Sequence, residues 1–155
     1  MKAARIWALA ILFFALAAGG SAVAQDKSKG TAKEAEALVH KAIEFYKKNG
    51  RDKAFAEINN PKGQFTDRDL YVVVYGIDGK GLAHGANAKM IGKDLLDMRD
   101  VDGKYFVKER VEIAKTKGKG WQDYKFMNPV SKQIEPKSMY VERHEDMIFG
   151  AGIYK

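Results

Sequence analysis

The sequence predicts an α+β fold in which helices pack against one antiparallel sheet of five strands. The predicted segments run in the order helix, helix, hairpin, helix and three strands. No helical segment separates the last three strands, so no crossover connection is present to make them parallel. The residues after position 24 are enough for one domain with one core, and not comfortably enough for two.

The first 24 residues form a predicted secretory signal peptide. Lys2 and Arg5 precede an uncharged run, Ile6 to Ala24, whose apolar first part gives way to small residues. We expect cleavage between Ala24 and Gln25 and a periplasmic or secreted mature protein. The alternative is an uncleaved membrane anchor, because the run approaches the roughly 20 residues that span a bilayer. The sequence has no cysteine, so it predicts neither disulfides nor a lipid attachment site.

Two helices are predicted after a polar, flexible leader at residues 25–30. Thr31-Ala32-Lys33-Glu34 fits a capping box, and apolar residues then recur at helical spacing up to Gly50, which ends the first helix. Asp52 is predicted to cap a short second helix that closes at Asn59-Asn60-Pro61. We interpret both helices as packing elements.

A β-hairpin is predicted next. Leu70 to Tyr75 is rich in β-branched and aromatic residues, Asp78-Gly79 supplies a tight turn, and Gly81 to His84 returns as the partner strand. The segment from Gly85 to Asp102 is polar and long for a connection in a compact domain. Such segments are typical of lids and binding loops.

The last third of the chain is predicted to contain one helix and three strands. Helical spacing returns from Lys104 to Lys117 and stops at Gly118. Strands are expected at residues 121–127, 134–143 and 147–154, separated by turn residues.

Composition and motif spacing argue against several other classes of function. The chain has 27 Lys and Arg residues against 20 Asp and Glu, but lysines predominate and are scattered among acids, so we predict no nucleic-acid site. His40, His84 and His144 lack the spacing of a metal site, and no serine lies on a nucleophile elbow. We therefore predict no catalytic residue, no metal site, no cofactor and no enzymatic activity.

Several short motifs recur at spacings that together identify a family. They are Asp69-Leu70-Tyr71, Leu82-Ala83-His84, Ile91-Gly92-Lys93, Asp102-Gly103-Lys104, Gly120-Trp121, Asn128-Pro129, Tyr140-Val141 and Gly150-Ala151-Gly152-Ile153-Tyr154. This pattern resembles the single Cache domain of extracytoplasmic sensors and assigns residues 31–155 to one such domain. The resemblance implies a PAS-like five-stranded antiparallel sheet with a long N-terminal helix, in agreement with the element order above.

The resemblance also implies that a small organic acid, such as acetate, propionate, pyruvate or lactate, is sensed in a pocket beside the sheet. Such a ligand needs an apolar cradle and fixed donors, and Tyr and Trp supply both. Lys137 is expected to pair with the carboxylate, with Arg143 as an alternative anchor; the competing interpretation of each site residue is ordinary packing or a solvated side chain. The expected ligand-binding residues are Tyr71, Tyr75, His84, Asn87, Trp121, Tyr124, Lys137 and Tyr140.

Signal output would depend on another protein. The chain stops one residue after Tyr154, so we expect the domain to report to a separate membrane receptor, kinase or transporter. The first helix is a candidate homodimer surface. The alternative function is that of a structural or interaction protein that has the Cache shape and no competent pocket.

Overall fold

The computed structural model describes residues 27–155. The predicted signal peptide at residues 1–24 lies outside this range, as do the first two residues of the predicted leader. Among the described residues, no helix is both long enough and apolar enough to cross a membrane.

Helix α1 (Ala32–Asn49) begins at the predicted capping box. The Thr31 hydroxyl accepts a hydrogen bond from the Glu34 amide at 3.2 Å, and the Glu34 carboxylate accepts one from the Thr31 amide at 2.8 Å. Hydrogen bonds from Arg68 and then Thr31 lower the Glu34 pKa to about 2. The two hydrogen bonds between Thr31 and Glu34 satisfy backbone amides that the start of a helix leaves without partners.

Helix α2 (Arg51–Ile58) follows α1 after a single residue, Gly50. The prediction that Asp52 caps this helix is wrong, because Gly50 occupies the N-cap position and Asp52 already lies in the first turn. Gly50 has a φ of 80°, a conformation that glycine adopts without steric cost. This glycine both ends α1 and allows the chain to turn at once into α2.

Seven strands are present in the described residues. They are β1 (Thr66–Asp67), β2 (Leu70–Tyr71), β3 (Val73–Gly76), β4 (Gly81–His84), β5 (Lys119–Met127), β6 (Ile134–His144) and β7 (Met147–Tyr154). The last five form the predicted antiparallel sheet in the spatial order β4-β3-β7-β6-β5, and β1 pairs with β2. The predicted strand at residues 70–75 is divided at Val72. The Val72 amide donates a hydrogen bond to the Phe65 carbonyl, and the Val72 carbonyl accepts one from the Gly85 amide.

The segment between β4 and helix α3 (Phe106–Thr116) contains one 3-10 turn at Ala88–Met90 and is otherwise irregular. Asp100 holds the end of this segment against β5. Its carboxylate accepts hydrogen bonds from the Lys104 amide at 2.9 Å and the Lys125 amide at 3.0 Å. The long connection is therefore fixed to the edge of the sheet.

The sheet has two buried faces, because successive side chains of a strand point to opposite sides. Helix α1 covers one face, which we call the α1 face, through Ala35, Val39, Ala42 and Ile43. Helix α3 and the long connection cover the other, the α3 face. The α3 face carries most of the buried polar side chains that the next subsection describes.

Candidate functional site

A buried lysine lies near the centre of the α3 face. Lys137 on β6 is only 1% exposed and is the direct cross-strand neighbour of Tyr124 on β5 and Tyr154 on β7. Gly152 on β7 makes room for it, since a Cβ at that position would lie 2.8 Å from the Lys137 Cε atom. The glycine-rich motif of β7 thus provides space for the lysine side chain.

Aromatic side chains surround the Lys137 amine. Its Nζ atom donates to the Tyr71 hydroxyl at 2.8 Å and to the Tyr154 hydroxyl at 3.2 Å, and it lies 4.0 Å and 4.5 Å from the centres of these two rings. Tyr154 in turn donates to the Met127 carbonyl at 2.7 Å. Burial, followed by the positive charge of Arg110, holds the Lys137 pKa well below its ordinary value.

A second buried cation lies on the same face. Arg110 on α3 is fully buried, and its guanidinium lies over the rings of Tyr75 at 4.6 Å and Tyr124 at 5.5 Å. The Nε atom donates to the Gln122 side chain at 3.3 Å. Neither Nη atom makes a hydrogen bond of ordinary geometry within the described residues, although the Tyr75 and Tyr124 hydroxyls lie close enough to interact with the guanidinium. A buried guanidinium with unpaired donors is costly, because it has lost the hydrogen bonds that water would make.

His84 completes this group of residues from the end of β4. Its Nδ1 atom accepts hydrogen bonds from the amides of Ala86 at 3.2 Å and Asn87 at 3.0 Å, which leaves the ring proton on Nε2. Burial, assisted by the charges of Lys137 and Arg110, lowers the His84 pKa to about 3. The imidazole is therefore neutral at physiological pH and offers one N–H donor.

We call these seven residues the cation–tyrosine cluster: Arg110, Lys137, Tyr71, Tyr75, Tyr124, Tyr154 and His84. The cluster contains two cations, and the negative charge of the buried Asp69 carboxylate, which is not one of the seven, acts on Lys137 and favours its protonated form. It is adjacent to a cavity of about 190 Å³ whose lining includes Tyr71, His84, Asn87, Phe126, Met127 and Lys132. Lys137 does not line this cavity; Tyr71 does, and its hydroxyl receives the Lys137 hydrogen bond.

The structure brings most of the sequence-predicted site residues together. Tyr71, Tyr75, His84, Tyr124 and Lys137 belong to the cation–tyrosine cluster. Asn87 lies at the cavity, on the loop that follows β4.

Trp121 and Tyr140 are the two predicted site residues that the structure places elsewhere. They pair across β5 and β6 on the α1 face, with their rings 5.5 Å apart. Trp121 is 39% exposed, and the Tyr140 hydroxyl donates to the Glu142 carboxylate at 2.6 Å. The expectation that they lie with Tyr124 and Lys137 is thus corrected, because each is separated from its predicted partner by an odd number of positions along a strand.

Sequence reasoning missed Arg110 and Tyr154. A signal for Arg110 was available, since it falls in the buried stripe of α3 that also contains Phe106, Val107, Val111 and Ala114. A basic residue at an apolar position of a helix indicates either that the helical pattern has been assigned to the wrong residues or that the cation has a function. The alternative anchor, Arg143, lies away from the cluster and donates to the Glu145 carbonyl at 2.8 Å.

The arrangement is suited to holding an anion. Donors and cations converge on one region of the α3 face, among buried tyrosine rings, although neither Arg110 nor Lys137 lines the cavity itself. Within residues 27–155, no group of three His, Asp or Glu side chains is placed to hold a metal ion.

Comparisons with known proteins are consistent with this geometry. The family model described as single Cache domain 2 matches residues 21–154, which is most of the chain. The sensor histidine kinase MctS of Rhizobium johnstonii is 32% identical over 89 residues, a match that covers 56% of this chain and 19% of the kinase. The methyl-accepting chemotaxis protein McpP of Pseudomonas putida is 29% identical over 90 residues, covering 57% and 16% of the two chains. This chain thus spans less than a fifth of either relative.

Solved structures share the fold. A Cache chemosensory domain described in terms of carboxylic acid recognition matches with a TM-score of 0.68 at 23% identity, over 79% of this chain and 91% of its own. A methyl-accepting chemotaxis protein from Vibrio parahaemolyticus matches with a TM-score of 0.67 at 24% identity, over 79% and 86% of the two chains. At these identities the comparison establishes the PAS-like Cache fold.

Proposed function

We propose that this chain, which belongs to the single Cache domain 2 family, is a sensor domain that binds a small carboxylic acid in the cation–tyrosine cluster. Domains of this family occur in sensor kinases and chemoreceptors. They are signalling modules, and the proposal accordingly includes binding and no catalytic step. The residues of the cation–tyrosine cluster support the choice of a small carboxylic acid as the ligand.

One observation carries the proposal. Arg110 is fully buried, and neither of its Nη atoms makes a hydrogen bond of ordinary geometry among the described residues. Natural proteins retain a buried, unpaired cation at a cost of several kcal/mol, and an anionic ligand removes that cost by supplying the missing acceptors. A carboxylate matches the forked geometry of a guanidinium, because both groups are planar and form two parallel hydrogen bonds.

The other members of the cluster determine how small the ligand is. Tyr71, Tyr124 and Tyr154 present apolar ring faces and hydroxyl groups, so they suit a carboxylate with a short methyl or methylene tail. Lys137 supplies a second positive charge once the ligand reaches the Tyr71 hydroxyl or displaces it. At a ceiling near 1.5 kcal/mol per non-hydrogen atom, an acid of about four to six such atoms binds with roughly 6 to 9 kcal/mol, near the micromolar range.

Thermal melting across a panel of small acids tests the proposal. Ligand at about 100 times its dissociation constant adds roughly 2.7 kcal/mol to the free energy of unfolding, which raises the melting temperature of a domain of this size by several degrees. We expect acetate, propionate, pyruvate or lactate to produce this rise, and uncharged analogues such as acetamide to produce none. If no acid shifts the melting temperature, the ligand class is wrong.

The alternative function is that of an interaction protein whose pocket does not bind ligand. One observation favours it, namely that the Lys137 amine already donates to two tyrosine hydroxyls and does not line the cavity. The acid panel separates the two functions, because a protein of the second kind melts at one temperature in every acid.

The proposal extends to location and partners. A predicted signal peptide at residues 1–24 would export the domain to the periplasm or outside the cell, where it would report to a membrane receptor, kinase or transporter. Helix α1 buries one side against the sheet and leaves its other side exposed, so it is the surface we propose for homodimer formation. Size measurement by light scattering with and without acetate tests the dimer.

A further inference from the structure

The cavity beside the cation–tyrosine cluster has two chemically different ends. Tyr71 and His84 line it from the protein interior, where they are 2% and 4% exposed. Asn87 and Lys132 line it from the surface, on the loop after β4 and on the turn between β5 and β6. No Asp or Glu is among the residues that line the cavity. Both ends therefore favour hydrogen-bond acceptors and negative charge.

Lys132 occupies a backbone conformation that lysine rarely adopts. Its φ is 61°, in the left-handed region where glycine or asparagine is preferred. Arg68 and Glu145 share this conformation, and their side chains bond to Glu34 and to the Tyr46 hydroxyl. The Lys132 amine has no ion-pair partner within residues 27–155. The backbone conformation closes the turn, because the Lys132 amide donates to the Asn128 carbonyl at 2.9 Å, and it leaves the side chain at the cavity that Lys132 lines.

Asn87 adds an oriented donor at the same end. Its side-chain oxygen accepts a hydrogen bond from the Lys89 amide at 3.1 Å and so caps the 3-10 turn at Ala88–Met90. This bond determines which atom of the Asn87 side chain is the oxygen, and it leaves the amide nitrogen, Nδ2, available to donate a hydrogen bond. A cation and an amide donor are thus both present at the surface end of the cavity.

The cavity is larger than a simple monocarboxylate needs. Its volume of about 190 Å³ corresponds to roughly six water molecules at the volume of liquid water. Acetate, with about four non-hydrogen atoms, would fill the interior end and leave Lys132 and Asn87 without a partner. A longer ligand with a polar group at each end would engage both ends.

We propose that the cavity takes a short dicarboxylic acid, with one carboxylate at the interior end beside the cation–tyrosine cluster and the other held by Lys132 and Asn87. This inference rests on the proposed function and extends its ligand class from small monocarboxylic acids to a short dicarboxylic acid. The interior end supplies affinity for any small acid, and Lys132 discriminates in favour of a second negative charge.

Succinate and butyrate form a matched pair for the test, because both have a four-carbon chain and they differ in the second carboxylate. Calorimetric titration of the wild-type protein is expected to show succinate binding about tenfold more tightly than butyrate. Lys132→Asn is expected to remove this preference and to leave the affinity for butyrate unchanged. Asparagine tolerates a positive φ, so the turn is retained, and the melting temperature of the variant verifies the fold.

Salt provides a readout that a structural role of Lys132 would not affect. Because Lys132 is exposed, the preference for succinate is expected to decrease as sodium chloride is added. The inference is overturned if succinate binds no better than butyrate, or if the preference persists in Lys132→Asn. Binding of butyrate in that case would leave the proposed function intact, whereas failure of both acids to bind would overturn the proposed function as well.

Discussion

Replacement of Arg110 by methionine is expected to stabilise the unliganded protein while it abolishes acid binding. Most substitutions of a large buried side chain lower the free energy of unfolding by about 2 to 5 kcal/mol. Arg110 should behave in the opposite way, because neither buried Nη atom makes a hydrogen bond of ordinary geometry within the described residues, and methionine fills a similar volume with no polar atom.

The expected magnitude follows from the contacts of the guanidinium. Each buried, unpaired donor costs about 1 to 3 kcal/mol, so removal of two Nη groups gains roughly 2 to 6 kcal/mol. Two losses oppose this gain. The contacts with the rings of Tyr75 and Tyr124 contribute about 0.5 to 2 kcal/mol, and the Gln122 oxygen loses its bond from Arg110 at about 1 to 3 kcal/mol. The net change is a gain of about 1 kcal/mol, or roughly 3 to 5 °C in melting temperature.

Urea unfolding with and without saturating acetate measures both effects. Arg143→Met is the matched control, since Arg143 donates to the carbonyl of its own turn and should change neither stability nor acetate binding appreciably. The reasoning is refuted if Arg110→Met loses more than about 2 kcal/mol and still gains the wild-type stabilisation from acetate. That outcome would identify Arg110 as a packing residue.

Three further predictions concern Lys137, His84 and Trp121. Lys137→Met should abolish acetate binding without lowering unliganded stability. In the wild type, acetate affinity measured by calorimetry should fall as pH rises, and should do so at a pH well below the ordinary pKa of lysine, since burial lowers the pKa of this amine and binding requires its protonated form. His84 has a folded pKa of about 3, so the unfolded chain binds more protons between about pH 6.5 and 3 and stability is lost as pH falls through that window. Urea unfolding of the wild type should show a free energy of unfolding about 2 kcal/mol lower near pH 5 than at pH 7.5, and His84→Asn should not show this decrease. An equal decrease in the wild type and the variant would contradict the lowered pKa of His84. Trp121→Ala should leave acetate affinity within about twofold, and a loss beyond tenfold would place the site on the α1 face.

The sequence contained most of the fold, because its local signals agree with one another. The capping box at Thr31, the turn at Asp78-Gly79 and the absence of a helix between the last strands predicted the elements and the antiparallel sheet that the structure shows. The division of the first long strand at Val72 was not predictable. It depends on the distant carbonyl of Phe65, and such a pairing has no local signature.

Part of the candidate site was predictable from the family motifs, and alternation along strands would have separated the remaining residues. The motif residues Tyr71 and His84 were expected beside Lys137, and the structure brings them together. Trp121 was grouped with Tyr124 because the family resemblance implies that both line the ligand pocket, although an odd separation places them on opposite faces. Arg110 was missed because a basic residue on a helix is normally solvated, although its position in the apolar stripe of α3 was a signal of burial.

A crystal structure of the domain grown with acetate would test the central claim most directly. We expect density for one acetate ion in the cation–tyrosine cluster, with its oxygen atoms at hydrogen-bond distance, about 2.7 to 3.1 Å, from the Nη atoms of Arg110 or the amine of Lys137. Arg110 with both Nη atoms still unpaired and acetate bound at another surface, or absent, would contradict the account.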